Sequence, residues 1–131
     1  MTVGSEAKSI QMQIEADPRL AAAAGGAARY FADAAGLEGA AMSDWQAAIV
    51  AACKEAFQHL TREHAQLKVT LTRLTDRLEV ALSRENDTAQ AGGQVGKSPA
   101  LEGVDRVQYE TQGGVAVTRL TKYITSTAPR R

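Results

Sequence analysis

A chain of 131 residues makes one domain, long enough to bury about two thirds of its unfolded surface without a disulfide or metal staple. Apolar residues at 44% and charged ones at 23% exclude disorder as the main state, and 15 basic against 15 acidic side chains leave no excess for nucleic acid or an anionic membrane. Cys53 is the only cysteine, which excludes an internal disulfide framework and a multi-cysteine zinc site.

In chain order, SIQMQIE (Ser9–Glu15) alternates Ile10, Met12 and Ile14 with Gln11, Gln13 and Glu15, the period of a half-buried strand. Asp17-Pro18 then supplies an N-cap and a proline at the first helical position, where no amide hydrogen bond is lost. Leu20, Ala23, Ala27, Tyr30, Phe31 and Ala34 recur at three and four residues and predict the apolar face of that helix. Gly36 fits a left-handed C-cap, and Gly25-Gly26, costing about 1 kcal/mol each against alanine, predict a close packing partner. Ser43 to Gln46 reads as an S-x-x-Q capping box opening a second helix that runs to about His64, with Ile49, Cys53, Ala56, Phe57 and Leu60 as its stripe.

Leu67, Val69 and Leu71, and then Leu78, Val80 and Leu82, alternate with polar residues on either side of Thr75-Asp76, which predicts a hairpin. Residues 84–103, RENDTAQAGGQVGKSPALEG, are aperiodic and read as a long surface loop with one helical turn near Pro99 to Glu102. Val104 to Glu110 is a further strand, Gln112-Gly113-Gly114 a turn, and Val115 to Ile124 a last strand. In that strand Val115 and Val117 fall out of phase with Leu120, which predicts a bulge near Thr118. A short basic tail, 125–131, follows. The polar opening does not resemble a signal peptide, and the weakly apolar run Leu20 to Ala28 is too short to span a bilayer, so a cytoplasmic setting is expected. Hairpins with one apolar face each predict a two-layer α/β sandwich, mainly antiparallel, with helices on one face.

Two local patterns suggest chemistry. Glu55, His59 and Glu63 are spaced by four beside the second apolar stripe, with His64 adjacent. HLTREH matches neither of the zinc-binding helix motifs, H-E-x-x-H and H-x-x-E-H, which aim two imidazoles at one ion. A solvated face with Glu-His pairs is therefore expected, and no metal site. AGGQVGKS (Ala91–Ser98) loosely matches a phosphate-cradling loop, but Ala91 replaces the first glycine and Pro99 and Gly103 leave at most a turn of helix behind it.

The whole layout resembles the bacterial anti-sigma-factor serine kinases, which share the Bergerat ATP-binding fold with histidine kinases. MQIEADPRLAAAAGGAARYFADAAGL is similar to the family's first strand and helix, and IVAACKEAFQH falls where its helix carries a glutamate followed four positions later by asparagine. LKVTLTRLTDRLEVAL resembles the next hairpin, and GVDRVQYETQGGVAVTRLTKYI the closing one. The resemblance implies that Glu55 corresponds to the general base. His59 stands at the asparagine that holds Mg²⁺ against the nucleotide phosphates. Arg84 occupies the position of the aspartate that accepts from the adenine amino group, with Asp87 able to replace it only after a register slip. Gly96 is the remnant of the second glycine box.

These departures imply a regulatory protein acting by protein-protein binding, with no bound cofactor. The expected partners are a sigma factor or an anti-anti-sigma factor, or a second copy in a homodimer. The rival reading is an active ATP-dependent serine/threonine kinase, using ATP and Mg²⁺ and phosphorylating an anti-anti-sigma factor. A more distant rival is a sensory domain that has given the emptied pocket to another ligand.

Overall fold

The computed structural model describes residues 8–60, 64–85 and 103–124. Strand β1 (Lys8–Glu15) leads into helix α1 (Pro18–Ala34), whose start is set as Asp17-Pro18 predicts: the Asp17 carboxylate accepts from the Arg19 amide at 2.9 Å. Asp17 also binds the Arg19 guanidinium, and that contact holds its carboxyl below the usual range. α1 ends in a Schellman motif. Gly36 takes φ +92°, its amide donates to the Asp33 carbonyl, and the Leu37 amide donates to the Ala32 carbonyl at 3.0 Å.

Only the N-cap Glu38 separates that motif from helix α2 (Gly39–Phe57), which begins four residues before the predicted capping box. Ser43 and Gln46 are thus inside the helix rather than capping it. Both accept from Arg29 of α1, at 3.4 and 3.0 Å. α2 also stops earlier than expected. The amides of His59 and Leu60 bond back three residues, to Ala56 and Phe57, so the chain tightens out of the α-helix before His59. Consequently His59 does not stand one regular helical turn beyond Glu55.

Strands β2 (Gln66–Arg73), β3 (Arg77–Glu85), β4 (Arg106–Gln112) and β5 (Val115–Tyr123) join β1 in one antiparallel sheet of order β1-β2-β3-β5-β4. The β2–β3 and β4–β5 hairpins are those the alternation predicts. Gly113 and Gly114, at φ +58° and +81°, supply the two left-handed residues of a type I′ turn. The bulge expected near Thr118 is absent: β5 pairs residue for residue with β3 from Val115 to Tyr123. Val115 and Val117 are out of phase with Leu120 because they lie on the opposite face of the sheet. β3 continues through Arg84 and Glu85, which removes two residues from the predicted loop 84–103; residues 86–102 and the tail 125–131 lie outside the described residues.

Ile14, Leu67, Val69, Leu71, Leu78, Val80, Leu82 and Leu120 share the sheet face covered by both helices and form a single core with Phe31, Trp45, Ile49 and Cys53. Among the described residues the fold is therefore α/β, a five-stranded antiparallel sheet with two helices on one face. Among the described residues, no helix is long and apolar enough to cross a membrane.

The buried face of α1 differs from the predicted one. Ala21, Ala24, Gly25, Ala28, Phe31 and Ala32 are buried, whereas Leu20 and Ala27 are partly buried and Ala23, Tyr30 and Ala34 are exposed. The physical reason is close approach. A side chain on Gly25 would overlap Cγ2 of Val50 on α2, so the helix turns its smallest residues inward. Gly26, with open space around it, has no such partner.

Candidate functional site

Glu55 and His59 come from the C-terminal end of α2, and both are exposed. Arg84 comes from the end of β3. It continues the inward alternation of Leu78, Val80 and Leu82, so it stands on the helix side of the sheet, opposite Ala116 of β5. Its guanidinium is partly buried. Burial pulls its pKa below the ordinary arginine range, and the Glu55 carboxylate opposes that shift. The fold thus brings together Glu55, of predicted importance, with an arginine that the aperiodic stretch after it had assigned to a loop. The signal that locates Arg84 is parity: it lies two residues after Leu82 on the same strand.

Asp87 and Gly96 lie outside the described residues, as do Glu63 and the phosphate-loop-like segment Ala91–Ser98. Among the described residues, no group of His, Cys, Asp and Glu side chains could hold a metal ion. The described donors do not fit the ATP and Mg²⁺ that the family resemblance implies. Arginine has no acceptor for an adenine amino group, and an imidazole is a poor substitute for the oxygen ligands that Mg²⁺ requires.

A second feature lies on the outer side of the helix pair. Gly26, Arg29, Tyr30, Asp33 and Met42 line an open depression of about 370 Å³. Arg29 is tied to α2 through Ser43 and Gln46, so its stem forms a fixed wall. Tyr30 is 69% exposed, while its neighbour Phe31 is 9% exposed. The depression therefore joins an exposed aromatic ring and a thioether to a rim of one cation and one anion. That composition suits protein contact better than a small charged ligand.

Cys53 is buried in the core, and burial pushes its thiol pKa up to about 12, which leaves it protonated and unreactive at neutral pH. The chain matches no protein-family model, and comparison with curated proteins finds no match.

Proposed function

We propose that this chain is a regulatory binding module of the anti-sigma-factor type, built on a Bergerat-like scaffold whose nucleotide site has been given up. The observation that carries the reading is Arg84 on the inner face of β3 beside Glu55. In the family it resembles, that end of the sheet presents an acidic acceptor to adenine, and the helix glutamate acts as a base. In the proposed correspondence Arg84 takes the acceptor's position, and the Glu55 carboxylate lies within its electrostatic reach. A cation held beside the glutamate suits a structural role better than proton abstraction. The antiparallel sheet with helices on one face is compatible with that scaffold.

Partner contact then falls to the surface rather than to the emptied site. The groove lined by Tyr30 and Met42, rimmed by Arg29 and Asp33, is the contact surface we assign to the sigma or anti-anti-sigma partner. Aromatic anchors in such settings carry a large share of binding energy. The test is binding of the purified chain to the sigma factors and anti-anti-sigma factors of its own cell, taken one at a time, with and without Mg-ATP. The reading predicts a complex whose affinity is independent of nucleotide. A complex that forms only with ATP, or phosphate transfer to a serine of the anti-anti-sigma factor, would establish the kinase instead.

A further inference from the structure

The helix pair fills only one half of the sheet's inner face. α1 packs on β1, β2 and β3, and α2 on β2 and β3. Strand register carries the same face onward to β5 and β4. Arg84 of β3 lies opposite Ala116 of β5, and Ala116 lies opposite Thr111 of β4. In the next row Leu82 faces Thr118, and Thr118 faces Tyr109. All of these share the side of Leu120, which the core buries. Away from Leu120 the cover thins: Ala116 and Thr118 are half-buried, Thr111 is exposed, and Tyr109 is 48% exposed.

The small Ala116 leaves a dip between Arg84 and Thr111, bordered by Thr118 and Tyr109. One guanidinium and three hydroxyls therefore surround an apolar floor, the composition of a small-molecule site. Among the described residues, none of these four side chains has a hydrogen-bond partner, and Arg84 closes no ion pair. Glu55 acts on the guanidinium through its field alone. We infer that this patch binds a small carboxylate, with the carboxylate on the Arg84 fork and the body of the molecule lying over Ala116 toward Tyr109.

Charge selects that ligand. A half-buried guanidinium without a counter-ion has lost part of its hydration and gained no bond in exchange. A carboxylate supplies the missing partner, because its two oxygens match the two parallel N–H groups of the planar fork. Glu55 sets the limit from α2: its carboxylate repels a second negative charge, so a monoanion is preferred to a phosphate ester. The Tyr109 ring offers an apolar body a surface to cover. Strand register and charge alone define this site, so it stands or falls independently of the regulatory role.

Benzoate is the probe, titrated into the isotope-labelled full chain and followed by backbone amide shifts. Saturable shifts are expected at Arg84, Ala116 and Thr118, with those of Tyr30 and Met42 unmoved, at a dissociation constant in the millimolar range or tighter. Benzamide, neutral and of similar shape, should bind at least about tenfold more weakly, and phenyl phosphate should also bind more weakly than benzoate. Arg84→Gln should weaken benzoate about tenfold or more, and Thr118→Val roughly threefold, with thermal melting checking that each variant folds. If Arg84→Gln does not fold, Thr118→Val and the benzamide comparison carry the test. The site is overturned by an absence of saturable shifts at these amides, by benzamide or phenyl phosphate binding as tightly as benzoate, or by unchanged benzoate binding in a folded variant.

Discussion

Tyr30 and Phe31 are adjacent in sequence and opposite in environment. Their ring centroids stand 6.3 Å apart at 53°, one ring in the groove on the outer helical surface and the other in the core between α1 and the sheet. The two substitutions to alanine therefore separate two properties. Phe31→Ala should cost about 3–5 kcal/mol of stability, the range for emptying a buried aromatic site. Tyr30→Ala should stay within about 0.5 kcal/mol of the native chain yet weaken partner capture by tenfold or more. Thermal melting and a pull-down on both variants check this. Loss of stability in both, with partner binding unchanged for Tyr30→Ala, would move the contact surface elsewhere.

Gly25 and Gly26 should respond to alanine with opposite signs. At Gly25 the new methyl group overlaps Cγ2 of Val50 and stands 3.3 Å from the Gln46 carbonyl, so the helices must part. Overpacking of this kind costs about 1–3 kcal/mol, more than the helix-propensity gain of about 1 kcal/mol. At Gly26 nothing lies within 4 Å, and Gly26→Ala should stabilise by roughly 0.5–1 kcal/mol. Urea unfolding of the two variants measures both signs; equal stabilisation would mean that the α1–α2 contact is looser than described.

Cys53 gives the fold an alkaline sensitivity. Its folded pKa, near 12, lies above the unfolded value of about 8.5, so the unfolded chain loses its proton first. The contribution is complete below about pH 8.5 and is lost as pH rises toward the folded pKa, with a slope of at most about 1.4 kcal/mol per unit. Between roughly pH 8.5 and 10.5 the native chain should therefore lose stability faster than Cys53→Ala. Urea titrations at several pH values compare the slopes. Parallel slopes would mean that the thiol reaches solvent in the folded state.

Much of the sheet is legible in the sequence because a period of two and a turn dipeptide are both local signals. The alternation of Ile10 to Ile14, the Leu67–Leu71 and Leu78–Leu82 pair, and Gly113-Gly114 mark their strands and turns directly. The helical faces are less so. α1 is apolar nearly all round, so two stripes that share Phe31 compete, and the one that carries Leu20 and Tyr30 is not the one that packs inward. Ser43 and Gln46 have capping-box spacing but serve as acceptors for Arg29, a contact between helices that no local pattern records. At the candidate site, Glu55 is visible through the resemblance. Its relation to Arg84 depends on β3 continuing past Leu82, where the apolar signal has already stopped.

The loss of the nucleotide site is the central claim, and calorimetric titration with ATP in the presence and absence of Mg²⁺ tests it most directly. Losing a well-placed hydrogen bond to a charged group costs about 1.5–3 kcal/mol. If, as proposed, Arg84 stands at the adenine acceptor and His59 at the metal ligand, two such losses would weaken binding by a few orders of magnitude. The account predicts no measurable heat of binding under either condition. Saturable low-micromolar binding that requires Mg²⁺ would contradict it.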